Sequence, residues 1–258
     1  MRNFDNVNLD LMYGLPGQTP DDAVADVEVA LGYGSTHLSC YHLTIEPNTY
    51  FHRFPPKLPD DDATAEMQEV LETKLASAGY EHYETSAFAR REGGAPVSSH
   101  QSPVTARSAR CAHNMNYWTF GDYLGIGAGA HGKLSFSERI LRQARVKHPE
   151  AYMQAAEAGN AVAEEREVGA GEIGFEFMMN ALRLNDGFAA ALYEERAGLP
   201  LTTVLKGLEE AERRGLIVRD HARIAPTTLG RRFLNDLLQI FLETGTARSG
   251  AAPGGTVI

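Results

Sequence analysis

Val7-Asn8-Leu9-Asp10-Leu11-Met12-Tyr13-Gly14-Leu15-Pro16-Gly17-Gln18 is the stretch on which the reading of this chain turns. Val7, Leu9 and Leu11 alternate with Asn8, Asp10 and Met12, the period of a strand whose two faces meet different surroundings. The Gly14-Leu15-Pro16-Gly17 turn stops the strand, and Thr19-Pro20-Asp21-Asp22 opens a helix. Thr19 suits the N-cap, Pro20 the first helical position, and the two aspartates the positive helix end. Strand, short loop and helix make the βα unit of a parallel sheet or barrel. The Val7, Leu9 and Leu11 face is then expected under helices. The other face carries Asp10 at the strand end, where such folds place their sites. From the strand alone, a ligand-binding carboxylate and a loop-capping or ion-paired one stand even.

Working outward, the first helix is expected over 20–31, with Val24, Val27 and Leu31 as its apolar stripe. HLSCYHLTI, residues 37–45, reads as the next strand, lying parallel beside the first. Residues 48–59 form a loop in which Pro55, Pro56 and Pro59 forbid a helix. Asp60-Asp61-Asp62 starts a helix to about Ala78, with Met67, Val70, Leu71 and Leu75 buried. YEHYETSAF, residues 80–88, alternates as a single strand. Residues 90–110, rich in Gly, Ser, Pro and Arg, read as a mobile surface insertion whose arginines are solvated.

CAHNMNYWTFGDYLGIGAGAHGK, residues 111–133, is the second informative stretch. Gly127, Gly129 and Gly132 spell GxGxxG, but a dinucleotide site needs a helix after it, and residues 133–145 read as a hairpin instead. Cys111 and His113 find no second metal-ligand pair. The glycines at 125, 127, 129 and 132 would let backbone approach a ligand closely. From His148 onward the pattern turns helical: a short helix over 149–158, a charged linker over 164–171, then helices over 173–182, 188–197 and 200–214. A small hairpin turns at Asp220, and a last helix follows Thr227 or Thr228. Helix, helix, hairpin, helix is a winged-helix arrangement, and residues 244–258 read as a disordered tail.

NLDLMYGLPGQT, YExYExSxFA and HNxxYW followed by GDYLGIGAGAHG together resemble the radical S-adenosylmethionine proteins related to oxygen-independent coproporphyrinogen III oxidase, in their heme-chaperone branch. The resemblance covers residues 5–243 and matches only the C-terminal part of the family pattern. It implies an α/β fold: the last strands of a partial TIM-like (β/α)6 barrel, followed by a small helical domain of winged-helix type. The implied domains are residues 1–147, with the insertion at 90–110, and residues 148–243, with the tail at 244–258. By resemblance, Asp10, Thr44 and His131 contact S-adenosylmethionine, and Asp10 is expected to face the barrel interior. His113, Asn114, Tyr117 and Trp118 stand in the HNxxYW positions implied to bind heme. An imidazole is a good axial ligand for heme iron, and aromatic rings suit a porphyrin face. Residue by residue the alternatives are ordinary ones, a structural histidine at 113, a strand-end threonine at 44, a buried thiol at Cys40.

Composition bounds the function. The chain has 258 residues, 43% hydrophobic and 22% charged, values of a globular protein, and a formal charge of −10 that opposes non-specific binding to nucleic acid or anionic membrane. No apolar run approaches a membrane span and no signal-peptide core opens the chain, so a cytoplasmic location is expected. Cys40 and Cys111 make neither a disulfide framework nor the CxxxCxxC motif that holds the family's 4Fe-4S cluster. The chain therefore reads as a truncated form lacking four earlier strands, without catalytic residues of its own and inactive alone. The leading expectation is a heme chaperone that binds heme and delivers it to acceptor proteins, including membrane-associated ones, using S-adenosylmethionine. The alternatives are a coproporphyrinogen III oxidase of porphyrin biosynthesis and a winged-helix nucleic-acid-binding protein. Glu209, Glu210 and Glu212 beside Arg213 and Arg214 speak against the last. Without the earlier strands, residues 7–13 are expected to offer an unpaired edge and an uncovered apolar face, and so a route to self-association.

Overall fold

A computed structural model of the protein describes residues 6–91 and 109–246. It divides into two compact units, Met1–Ala112 and His113–Ile258. The expected insertion, apart from residues 90, 91, 109 and 110, lies outside the described residues.

The first unit contains β1 (Asn8–Tyr13), α1 (Pro20–Gly32), β2 (His37–His42), α2 (Tyr50–Arg53), α3 (Asp61–Ser77), β3 (Tyr80–Glu84) and β4 (Ala87–Arg90). Its sheet has the order β1-β2-β4-β3; β1 and β2 run parallel, and the other pairs are antiparallel. Thr19 caps α1 through a complete capping box with Asp22, worth about 1 kcal/mol, as its place before Pro20 predicts. The stripe that α1 buries is Ala23, Val27 and Ala30, with Val24 left at the margin, so small side chains face the sheet. Asp60 caps α3, which buries Met67, Leu71 and Leu75 at about 1.5–3 kcal/mol for each such side chain. These join Leu38, Cys40, Tyr80 and Phe88 in one core, with Leu9, Leu11 and Tyr13 packed on its border.

Four expectations change here. β2 ends at His42, so Thr44 lies beyond the strand. A single helical turn, α2, capped by Thr49, fits between Asn48 and the first proline. The single strand expected over 80–88 is a hairpin: Thr85 and Ser86 turn the chain, and Ser86 O accepts from Cys40 N–H at 2.8 Å. β1 is an edge strand among the described residues, as expected, but its apolar face is half-buried against the core and not bare.

The second unit runs through α4 (Ala112–Trp118), β5 (His131–Ser135), β6 (Ile140–Arg145), α5 (Pro149–Glu157), β7 (Val162–Glu167) and α6 (Ala170–Ala181). It continues with β8 (Phe188–Ala189), α7 (Ala190–Ala197), a 3-10 turn at Leu201–Thr203, α8 (Leu205–Arg213), β9 (Ile217–Arg219), β10 (Arg223–Pro226), α9 (Thr228–Arg232) and α10 (Leu234–Thr246). The hairpin expected at 133–145 is β5 with β6, but its sheet takes a third strand, β7, which runs into the stretch read as a linker at 164–171. That pairing draws residues 131–145 into the second unit, so the units divide at 112/113 and not near 147. Charge alone misled there: Glu164, Glu165, Arg166 and Glu167 lie on a wholly exposed strand, where polar side chains fit either face.

The second core centres on Phe177 of α6, with Phe120, Phe188 and Tyr193 set edge-on around it at centroid distances of 5.0–5.5 Å. β8, β10 and β9 form a small sheet beside α6, α7 and α8. Gly230 sits where any Cβ would strike the carbonyl of Leu216, which seats α9 directly on the turn before β9. The last helix reaches Thr246, beyond the expected start of the tail, and residues 247–258 lie outside the described residues.

Candidate functional site

In the first unit, parallel pairing sets Asn8 opposite His37, Asp10 opposite Ser39 and Met12 opposite Tyr41. Period-two alternation puts all six on the face away from the core that α1 and α3 cover. Asp10 lies in the middle of β1 and not at its end, and its carboxylate is open to solvent, unlike the enclosed group expected. Asn8 Nδ2 donates to Asp10 Oδ1 at 2.7 Å. Asn8 Oδ1 in turn accepts from Ser39 Oγ at 3.2 Å and stands 2.6 Å from His37 Nδ1. His37 is 3% exposed, and its Nε2 lies 2.8 Å from Tyr83 Oη, which also accepts from Cys111 N–H at 3.3 Å. Burial holds the His37 pKa below its ordinary value, with Asp10 pulling the other way. Arg110 forms a two-pronged pair with Glu81 and lies over the Tyr83 ring, so this arginine is anchored and not solvated as expected.

This face is therefore a polar row ending on a free carboxylate, with exposed Met12 and Tyr41 beside it. Such a surface can accept hydrogen bonds from ribose hydroxyls or an amine and cover an apolar ring. Thr44 is exposed in the loop after β2, and its Oγ donates to Glu46 at 3.3 Å. Asn8, His37, Ser39 and Tyr83 were not singled out by the sequence. The alternation of HLSCYH, once set parallel to β1, was a usable signal for His37 and Ser39; Tyr83 carried none.

In the second unit, His113 is exposed in the first turn of α4. One helical turn separates it from Tyr117, and their rings lie 4.7 Å apart; Tyr117 is followed by Tyr123 at 4.3 Å. Arg142 donates to Tyr123 Oη at 2.7 Å and pairs with Glu176. Desolvation, then Tyr123, raises the Tyr117 pKa, with Arg142 opposing, so its phenol stays neutral. Trp118 has Arg183 over its ring at 5.1 Å, and its indole Nε1 is buried with no hydrogen-bond partner among the described residues. A buried donor without a partner is costly unless something else satisfies it. Asn114 is half-buried on the same helix.

His131, exposed at the start of β5, belongs to this second unit, whereas Asp10 and Thr44 belong to the first. The glycines expected to admit a ligand serve the chain itself. A Cβ on Gly125 would strike the carbonyl of His131, and Gly132 closes on Gly125 from the other side. Gly127 and Gly129 take φ of 113° and 71°, which bends the loop. Next to them Lys133 is buried and spends its three donors on Phe120 O, Asp122 Oδ1 and Ser135 Oγ at 2.8–3.0 Å, with the Phe120 ring 4.0 Å away.

The thiols do not fit an iron-sulfur cluster. Cys40 is buried in the first core, which pushes its pKa up to about 12, and Cys111 is half-buried. No group of three or more metal-ligating side chains occurs among the described residues. Nor, among them, is any helix long and apolar enough to cross a membrane.

The fold is that of a HemN-like protein. Residues 170–233 match the family described as HemN C-terminal domain. A solved structure described as coproporphyrinogen III oxidase (HemN) from Escherichia coli, a radical SAM enzyme, superposes with a TM-score of 0.67 over 92% of this chain and 55% of that one, at 19% identity. By sequence the chain is similar to the heme chaperones HemW. It is 41% identical to that of Haemophilus influenzae over 91% of this chain, 41% to that of Escherichia coli over 94%, and 32% to that of Bacillus subtilis over 93%. It spans 56%, 58% and 59% of those three proteins, little more than half their length.

Proposed function

We propose that this chain is the part of a heme chaperone that holds heme on the α4 segment and S-adenosylmethionine on the polar face of the first sheet, and passes heme to acceptor proteins. The observation that carries the heme reading is the arrangement on α4. An exposed imidazole at His113 stands at the head of a column of tyrosine rings, and the neighbouring Trp118 keeps an unused, buried N–H. His113 would supply an axial nitrogen, Tyr117 and Trp118 aromatic surface, and Asn114 a polar contact; bound heme is the cargo. The S-adenosylmethionine reading rests, within the first unit, on Asp10 as acceptor and Thr44 as a hydroxyl in the loop after β2, with Met12 and Tyr41 as apolar surface near Asp10; for His131 it rests on the resemblance alone.

The residues present do not hold a 4Fe-4S cluster, so no radical step is assigned to them. The partial barrel and winged-helix descriptions belong to this proposal, as do a cytoplasmic location and self-association through the β1 edge. Nucleic-acid binding is disfavoured because acidic residues of α8 neutralise the arginines at and after its end: Arg213 and Arg214 pair with Glu210, and Arg219 of β9 with Glu212. Heme titration of the 258-residue chain tests the leading reading. A Soret band that shifts on binding in the native chain, and loses its axial-ligand character in His113→Ala, supports it. An identical band in both removes His113 from the role. The purified chain supplied with S-adenosylmethionine and reductant is expected to yield no 5′-deoxyadenosine; its appearance would favour an oxidase instead.

A further inference from the structure

The row of groups behind Asp10 has a direction that chemistry alone decides. An ionised carboxylate can only accept, so the atom of Asn8 that lies 2.7 Å from Asp10 Oδ1 must be the amide nitrogen. The amide oxygen then faces Ser39 and His37, which fixes the side-chain flip on chemical grounds. Facing an oxygen at 2.6 Å, His37 Nδ1 must carry a proton. In the neutral ring Nε2 is then an acceptor, and Tyr83 Oη donates to it at 2.8 Å. The chain reads in one direction: Tyr83 O–H to His37, His37 Nδ1–H to Asn8, Asn8 N–H to Asp10. Its first two members, Tyr83 and His37, are buried and its last two, Asn8 and Asp10, are exposed, so the buried pair orients the exposed one.

We propose that Asn8 is a positioning residue for the Asp10 carboxylate, and that His37, held as its Nδ1–H tautomer, locks the Asn8 amide in the one orientation that presents an N–H to it. The inference deepens the reading that Asp10 receives a nucleoside, and rests on it. With one oxygen anchored by Asn8, the other oxygen of Asp10 is left to accept from the ligand, and the carboxylate no longer has to give up rotational freedom on binding. Nothing in this arrangement moves a proton to the ligand; it orients an acceptor.

The test uses the full chain and two kinds of measurement. Nitrogen NMR of the His37 ring is expected to show the Nδ1–H tautomer, and the Asn8 side-chain NH2 a single environment. In His37→Leu the Asn8 amide oxygen keeps only the Ser39 hydroxyl as a donor, so the side chain is expected to swing between its contact with Asp10 and solvent, its NH2 signals to split or broaden, and affinity for added S-adenosylmethionine to fall by about tenfold, one charge-assisted hydrogen bond's worth. His37→Gln, which can still donate to Asn8 and accept from Tyr83, is expected to restore both. Retention of the dispersed backbone spectrum in either variant separates loss of orientation from loss of fold. An Nε2–H tautomer, or one Asn8 environment in His37→Leu, overturns the proposal. Failure of the native chain to bind S-adenosylmethionine overturns the nucleoside reading instead, while the two ligand-free NMR measurements still decide the lock.

Discussion

In each unit of this protein a buried basic side chain, His37 in the first and Lys133 in the second, sits in a hydrogen-bonded network, and the two networks end differently. Around Lys133 every strand of the network closes on the protein: Phe120, Asp122 and Ser135 take its three donors, and Ser135 N–H and Oγ return to Asp122 at 2.9 and 2.7 Å. Around His37 the bonds run through Asn8 and stop at Asp10, which is exposed. A closed network is a folding device, because a half-satisfied one costs more than an apolar core. An open one leaves oriented capacity at the surface, which only a ligand can use. The difference separates a structural lysine from the site proposed at Asp10, although Lys133 and His37 are both nearly inaccessible.

The comparison breaks most readily on stability. Lys133→Met keeps the volume and the contact with the Phe120 ring but leaves the buried Phe120 carbonyl without its donor. It is expected to lower stability by about 2–3 kcal/mol, measured by urea unfolding, while S-adenosylmethionine affinity in the folded protein stays unchanged. Asp10→Asn should do the reverse: binding weaker by about tenfold to a hundredfold in calorimetric titration, with no change in the unfolding midpoint, since the group is exposed. If the two variants exchanged these signatures, the distinction between the networks would be lost.

Acid sharpens it further. The folded pKa of His37 lies below the ordinary 6.5 because the ring is buried. As pH falls below 6.5 the unfolded chain takes up a proton that the folded one refuses, so the first unit loses stability down to the lowered value. In the second unit burial works to raise the Asp122 pKa, but hydrogen bonds from Ser135 and Lys133 outweigh it and hold it below the ordinary 3.8. The stability it contributes is present above 3.8 and is lost as pH falls through the folded value. Amide exchange measured against pH is therefore expected to loosen the first unit at mildly acid pH, before the second. The smallest effect is that of Thr44→Val, a few-fold loss of S-adenosylmethionine affinity from one neutral hydrogen bond. No change there would confine the first unit's contribution to the strand face.

Much of this was legible in the chain. The alternation over 8–13 set Asp10 on the face away from the helices, and Thr19 before Pro20 marked the start of α1. HNxxYW located the segment that displays His113. GxGxxG fails as a dinucleotide fingerprint for the reason the sequence offers: strand β5, and not a helix, comes after it. Misleading runs were those whose local pattern fits two outcomes. YEHYETSAF alternates whether it is one strand or a hairpin, and the charged run at 164–167 suits a connection as well as a solvent-bathed strand. The glycines after Tyr123 were read as room for a ligand, whereas the close approach they permit is between Gly125 and the backbone of His131 and Gly132.

By itself the sequence determined the elements whose causes are local: the strand period, the helix caps, the apolar stripes and the presence of a carboxylate opposite them. These depend on neighbours within one turn or one pleat, so the letters suffice. Only the tertiary structure decided that His37 would meet Tyr83, 46 positions away, through the antiparallel docking of β4 between β2 and β3. It alone decided, too, that Lys133 would be sealed by Asp122 and Ser135. Pairing register between distant strands is set by how whole faces bury, and no single stretch of the chain carries that information.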